Sequence, residues 1–249
     1  GGDGIADGAC DCAGNVDLGC GCGEAAAEEN YDCDGNCTAE LDCNGDCAGT
    51  AVEDCAGVCG GGAVTDGCGN CEGEEIEWVE LWGECYNIEI TTELNLHNSG
   101  LIGEIPPEIS SLINLTELHL DNNELTGEIP SEIGYLTSLT YLSLHANQLT
   151  GEIPSEIGNL INLNRFFSDT NQLTGEIPSE IGNLENLTNL GLHTNQLTGE
   201  IPFEIGNLIN LTHLYLQNNQ LTSLPESIGS LSSLEQLYLH NNQLTSLPQ

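Results

Sequence analysis

A phrase of about 24 residues recurs seven times between Thr91 and Gln249, and that repetition narrows the chain to one kind of fold. The second copy begins at Leu115 and reads Leu-Thr-Glu-Leu-His-Leu-Asp-Asn-Asn-Glu-Leu-Thr-Gly-Glu-Ile-Pro-Ser-Glu-Ile-Gly-Tyr-Leu-Thr-Ser. Later copies begin at Leu139, Leu163, Leu187, Leu211 and Leu234. Leu118 and Leu120 point one way and His119 the other, the period-2 alternation of a short strand. Leu125, Ile129, Ile133 and Leu136 then carry the apolar interior back along the convex side. Pro130 and Gly134 interrupt that return, so it is expected to be irregular or 3₁₀-like rather than a long helix. No copy can bury its leucines alone, and stacking on neighbours does it.

The head of the phrase, Leu-x-x-Leu-x-Leu-x-x-Asn-x-Leu from Leu115 to Leu125, resembles the signature of the leucine-rich-repeat family. Leu-Thr-Gly-Glu-Ile-Pro, first at Leu125 to Pro130, is similar to the plant receptor-like subtype. Trp82-Gly83-Glu84-Cys85, followed by Ile90 to Leu96, resembles the cysteine-bearing N-terminal cap of those ectodomains. The resemblance runs from Trp78 to Gln249, with drift from Leu221, where Leu-Thr-Ser-Leu-Pro shortens the sixth copy by one residue. It implies a leucine-rich-repeat solenoid of short parallel strands with an irregular or 3₁₀ convex side. It also implies that Asn123 bonds backbone groups of adjacent turns, as do Asn147, Asn171, Asn195, Asn219 and Asn242. Ser99 holds that place in the first copy and reaches less far, so a weaker rung is expected there. Three segments result: 1–75, rich in Cys, Asp and Gly; 76–90, the cap; and 91–249, the repeats, the last truncated and uncapped.

One Arg and no Lys against 40 acidic residues give a formal net charge of −39. Such a field repels nucleic acid and anionic membrane surfaces and excludes both as partners. No apolar run is long enough to span a bilayer, and a beginning at Gly1-Gly2 reads as a processed mature form. Thirteen cysteines, twelve before residue 72, point to an oxidising compartment and an extracellular protein, secreted or at the cell surface.

The first segment lacks large apolar side chains, so cross-links must supply its order, with turns and little regular secondary structure. A unit recurs: Asp32-Cys33-Asp34-Gly35-Asn36-Cys37, Asp42-Cys43-Asn44-Gly45-Asp46-Cys47, Asp54-Cys55-Ala56-Gly57-Val58-Cys59, then Cys68-Gly69-Asn70-Cys71. Structural disulfides come first, at least five of them between Cys10 and Cys71, with connectivity open and an odd thiol left over. Zinc at Cys68 and Cys71 has no His nearby. Calcium is compatible with disulfides: Asp32, Asp34 and Asn36, and again Asp42, Asn44 and Asp46, set oxygen ligands at alternate positions around a Gly turn. Asp3-Gly4-Ile5-Ala6-Asp7 resembles thrombospondin type 3 calcium repeats; no cofactor is otherwise required. Trp78, Val79, Leu81 and Trp82 form an apolar cluster expected to cover the first repeat, and Cys85 is expected to pair with Cys71 or Cys68.

On the concave face, residues between the strand leucines fall into columns. The first reads Glu93, Glu117, Tyr141, Arg165, Asn189, His213 and Gln236; the second Asn95, His119, Ser143, Phe167, Gly191, Tyr215 and Tyr238. The third, His97, Asp121, His145, Asp169, His193, Gln217 and His240, alternates His and Asp at ~4.8 Å, close enough to pair across strands. This strip is read as a solvated strand end or as a pH-sensitive or metal-binding surface. The fourth copy puts Phe166 and Ser168 at leucine positions and exposes Arg165 beside Phe167, a contact hot spot or drift. Glu104, Glu128, Glu152, Glu176 and Glu200 form an acidic ladder whose neighbours repel by roughly 0.8 kcal/mol each, calling for solution cations. Asn36, Asn114, Asn186 and Asn210 stand in Asn-x-Thr glycosylation sequons.

No nucleophile elbow, metalloprotease His pair or phosphate loop appears, so no enzyme is expected. Two functions remain. The first is a self-assembling structural subunit of a surface filament or layer, in which Leu234, Leu237, Leu239, Leu244 and Leu247 form an open apolar edge that meets another copy head to tail. The second is a recognition module binding protein, peptide or glycan on the concave face. Its candidate residues are Tyr141, Arg165, Phe167, His119, His145, Asp169, His193, His213, Tyr215 and Tyr238.

Overall fold

The structure, a computed structural model, describes residues 29–31, 36–63, 65, 68–69, 71 and 78–245. Asp3 to Asp7, Asp32, Cys33, Asp34, the cysteines before residue 29 and Leu247 lie outside the described residues. The chain divides into two compact units, Gly1–Glu74 and Glu75–Gln249.

In the first unit the disulfides interlock. Cys37 bonds Cys47, Cys43 bonds Cys59 and Cys55 bonds Cys71, so each loop encloses the first cysteine of the next. Cys71 is therefore not the partner expected for Cys85, which is itself oxidised, as is Cys68. Oxidised Cys68 and Cys71 also leave no thiolate for zinc. Short antiparallel bridges, Leu41 with Cys47 and Glu53 with Cys59, close each turn. The aspartate that opens each unit ties it together. Asp42 Oδ1 accepts from the N–H groups of Asn44 (2.9 Å) and Asp46 (3.0 Å), and its Oδ2 accepts from Ala51 (3.2 Å). Asp54 repeats the pattern with Ala56, Val58 and Ala63. For Asp42 the bond from Asp46 leads in holding the carboxyl below its ordinary value, with those from Ala51 and Asn44 adding to it. The carboxylate expected as a calcium ligand is thus used as a turn cap. Asn44 and Asp46 are exposed on the same turn.

In the second unit, β1 (Trp78–Leu81) and β2 (Glu84–Asn87) make an antiparallel hairpin. Val79 and Leu81 turn inward and are buried, Trp82 packs against them, and its Nε1 donates to the Glu104 carbonyl at 3.1 Å. Trp78 alternates outward, so it does not join the cap cluster expected of it.

The repeats contribute β3 (Glu93–Asn95), β4 (Ile102–Gly103), β5 (Glu117–His119), β6 (Glu124–Leu125), β7 (Tyr141–Ser143), β8 (Arg165–Phe167), β9 (Asn189–Gly191), β10 (His213–Tyr215) and β11 (Gln236–Tyr238). Seven form one parallel sheet in the order β3-β5-β7-β8-β9-β10-β11, and β4 pairs with β6 on the return side. That return ladder continues through Thr150 N–H to Gly127 O (2.7 Å), Thr174 to Gly151 and Thr198 to Gly175. The convex side is a stack of 3₁₀ turns, such as Ser131–Tyr135, Ser155–Asn159 and Ser179–Asn183, each entered from an extended Pro that cannot continue a helix. These turns approach closely: a Cβ on Gly158 would lie 2.6 Å from the Glu180 carbonyl oxygen, which is why glycine recurs there.

Between sheet and turns lies one continuous core of Leu, Ile and Phe166, with most members fully buried. The asparagine ladder seals its edge. Asn123 Nδ2 donates to the carbonyls of Leu96 (2.8 Å) and Leu120 (2.9 Å), and its Oδ1 accepts from Ser99 and Leu101 (3.0 Å each). At Ser99 the hydroxyl reaches only the His97 carbonyl, at 3.4 Å, so the first rung is local. Ser168 is the core's defect: it takes a leucine position, is fully buried, and its Oγ has no partner. A stranded hydroxyl costs about 1–3 kcal/mol. Ser168→Ala is therefore expected to raise the thermal midpoint, and a lower midpoint would show that the hydroxyl does bond.

Candidate functional site

The sheet register brings the concave columns into line as the repeat spacing requires: Glu117 faces Tyr141, Tyr141 faces Arg165, and Ser143 faces Phe167, which faces Gly191. Strands ~4.8 Å apart place the rings of neighbouring copies in contact. His119 stacks on Tyr141 with centroids 4.5 Å apart, and Tyr141 meets Phe167 at 6.0 Å. A second run centres on Tyr215, which contacts His193 (6.4 Å), His213 (5.8 Å) and, stacked, Tyr238 (5.4 Å); Tyr238 meets His240. Burial raises the Tyr141 phenol above its ordinary value, with the nearby Asp121 charge acting in the same direction.

The two runs are separated at Gly191, the only residue of the second column without a side chain. Between the runs lies a depression of about 220 Å³, lined by Tyr141, His145, Phe167, Asp169, His193 and Tyr215. Six of the ten candidate residues meet in it. His119 lies beside it on Tyr141, while His213 and Tyr238 pack around Tyr215. Arg165 is exposed in the neighbouring column of β8.

The third column pairs as its alternation suggests. Asp121 is buried and takes His97 Nδ1 at 2.5 Å on one side and His145 Nε2 at 3.5 Å on the other, with Asn122 Nδ2 donating at 2.9 Å. His193 Nε2 lies 3.3 Å from Asp169 Oδ2. Burial pushes the Asp121 carboxyl up, but the bonds from His97 and Asn122, the charge of His145 and the bond from Ser143 outweigh it and hold it below its ordinary value. A carboxylate depressed by folding stabilises the fold above its unfolded value and loses that contribution as pH falls through the folded one. Asp121→Asn is therefore expected to cost about 1–3 kcal/mol at pH 7. The gap from the parent chain should narrow as pH falls below the ordinary carboxylate range; a pH-independent gap would contradict the assignment.

Asp121 and Gly191 were not among the candidate residues. The alternation of column three marked the first, and a glycine amid large side chains marked the second. Glu93, Glu117 and His119 bring one ligand atom each within 4.8 Å of one another, the group among the described residues whose geometry suits a metal ion. A larger depression, about 1270 Å³, lies on the return side among Glu152, Glu176, Glu200 and Phe203, away from these rings. Among the described residues no helix is long and apolar enough to cross a membrane.

Residues 91–149 match the family described as leucine rich repeat, and residues 155–249 the one described as leucine-rich repeat region. No curated protein sequence matches the chain. Among solved structures, the Arabidopsis receptor kinase HAESA, in complex with the peptide hormone IDA and the co-receptor SERK1, is 41% identical over 60% of this chain and 25% of its own, with a TM-score of 0.58. The plant peptide hormone receptor RGFR1, in complex with RGF2, is 43% identical over 58% of this chain and 23% of its own, with a TM-score of 0.57. A leucine-rich-repeat protein of Leptospira interrogans is 44% identical over 57% of this chain and 35% of its own, with a TM-score of 0.52. The chain thus spans about a quarter of the length of those receptor structures. Nothing in these likenesses supports head-to-tail assembly. Of the edge expected to drive it, Leu234, Leu239 and Leu244 pack partly against the core and Leu237 is exposed.

Proposed function

Because the chain belongs to the leucine-rich-repeat family, over residues 91–149 and 155–249, we propose that it is an extracellular recognition module binding a protein or peptide on its concave face. The observation that carries this reading is the run of rings across the sheet, His119–Tyr141–Phe167 and then His193, His213, Tyr215, Tyr238 and His240. Rigid aromatic side chains give large contact area at small entropic cost, and surfaces that bind partners are enriched in them. Folding alone does not call for them, since the leucines beneath already close the core. The peptide complexes of the two plant receptors support the same use of the architecture. A net charge of −39 favours a basic ligand, which long-range attraction would steer to the face. The interlocked disulfides fit an oxidising, extracellular setting. Catalysis has no part in this reading.

Selection of displayed random peptides against the chain tests it. Enriched sequences should be rich in basic residues and lose at least tenfold in affinity on Tyr215→Ala, the loss of one aromatic hot spot being worth about 2 kcal/mol. They should be indifferent to Tyr135→Ala on the convex side. Peptides that bind the Tyr215→Ala chain as well as the parent would overturn the reading.

A further inference from the structure

We infer that the depression between Tyr141, Phe167 and Tyr215 is a socket for one basic side chain of the ligand, an arginine or lysine held between aromatic faces and the Asp169 carboxylate. The inference rests on the recognition reading above, and its test separates the two. Three features combine. The first is the packing over Gly191, which is itself buried: a Cβ there would lie 2.7 Å from Phe167 Cδ1 and 3.1 Å from Asp169 Oδ1, so both groups lean across it. Glycine there is what lets the ring and the carboxylate oxygen come together and form adjoining parts of the socket wall. The second is the wall. Tyr141 and Phe167 stand on one side and Tyr215 on the other, and the face of an aromatic ring attracts a cation within about 6 Å of its centre. The third is charge. Asp169 is mostly buried at the rim, and the chain has one Arg and no Lys to answer its 40 acidic residues.

Size points the same way. At about 220 Å³ the socket is smaller than the roughly 300–1,000 Å³ typical of small-molecule sites, so it suits the head of one side chain rather than a whole ligand. A neutral ring would also stack on these walls without gaining from the carboxylate, and a sugar could donate a hydroxyl to it but would bring no charge to answer the acidic chain. The groups that compete with an incoming cation are Arg165, from the adjacent column of β8, and His145 and His193, which line the socket; His193 already lies 3.3 Å from Asp169.

The test is a titration of the full chain with N-acetyl-arginine amide, followed by the ring-proton resonances of Phe167 and Tyr215. Saturable shifts with a dissociation constant of roughly a millimolar are expected, as befits one side chain. The uncharged N-acetyl-citrulline amide should bind at least about tenfold more weakly, as should the arginine probe to Asp169→Asn. Gly191→Ala should have a similar effect without removing a charge, because its methyl displaces Phe167. Equal binding of the citrulline probe, an unchanged constant in Asp169→Asn, or no saturable ring shift overturns the socket. Selected peptides that need Tyr215 but not Asp169 would sink the socket and leave the recognition reading standing. Peptides indifferent to both would sink both.

Discussion

Asn171→Ala is expected to lower the melting temperature of the solenoid by roughly 10 °C, about 3–5 kcal/mol at 2–4 °C per kcal/mol for a domain of this size. Asn171 is buried in the middle of the ladder. Its Nδ2 donates to the carbonyls of Leu144 (3.0 Å) and Ser168 (3.2 Å), and its Oδ1 accepts from the Leu149 N–H at 3.0 Å. Alanine strands the Leu149 N–H where water has little access, at a cost on the order of 1–3 kcal/mol. It also takes one of two amide donors from each carbonyl, since Leu144 keeps Asn147 Nδ2 and Ser168 keeps Asn195 Nδ2, at roughly 1 kcal/mol per lost bond. Asn123 makes the same bonds near the first repeats but is only half-buried, so water can replace part of what Asn123→Ala removes. The second variant should lose clearly less. Equal, small losses in thermal melts of both would show that the ladder is ornamental and that leucine packing alone holds the repeats in register.

Reduction should act on the other unit. Residues 36–63 and their cross-linked neighbours bury almost nothing: Leu41, Val52 and Val58 are exposed, and Cys71 is the one buried apolar residue described there. Without a core, the fold depends on Cys37–Cys47, Cys43–Cys59 and Cys55–Cys71, whose sequence separations are 10, 16 and 16 residues. Closing a loop of about 15 residues is worth about 3 kcal/mol, so losing all three removes more than so small a segment can spare. Reduced and alkylated protein is expected to be cut by proteases throughout 36–71 while the solenoid from Trp78 onward keeps its resistance. A reduced segment as resistant as the oxidised one would mean that the Asp42 and Asp54 turn caps suffice by themselves.

The two units differ in how much of them could be read from the chain. In the solenoid, the leucine spacing dictates which side chains are buried, and the constant period dictates which residues stand beside each other. The columns through Tyr141, Phe167 and Tyr215 could therefore be written down before any coordinates. The depression between Phe167 and Tyr215 could not, because a glycine in a redundant array looks like drift until Phe167 is seen leaning across it. Nor could the outward turn of Trp78, which depends on the phase of a four-residue strand. In the first unit, spacing names the cysteines but not their partners. Asp42 shows the same ambiguity, since oxygen atoms at alternate positions suit a cation loop and an aspartate-capped turn alike. In the fold it is the turn-cap use that is seen, the Ala51 N–H, nine residues on, returning to Asp42 Oδ2.

The ringed concave face, rather than the return side, is expected to meet the ligand, and backbone hydrogen exchange with and without a selected basic peptide tests this. Protection is predicted in and just after the strands that carry the rings, residues 141–145, 165–169, 189–193 and 213–217, with the convex turns unchanged. Protection confined to the acidic depression around Glu152, Glu176, Glu200 and Phe203 would contradict the claim.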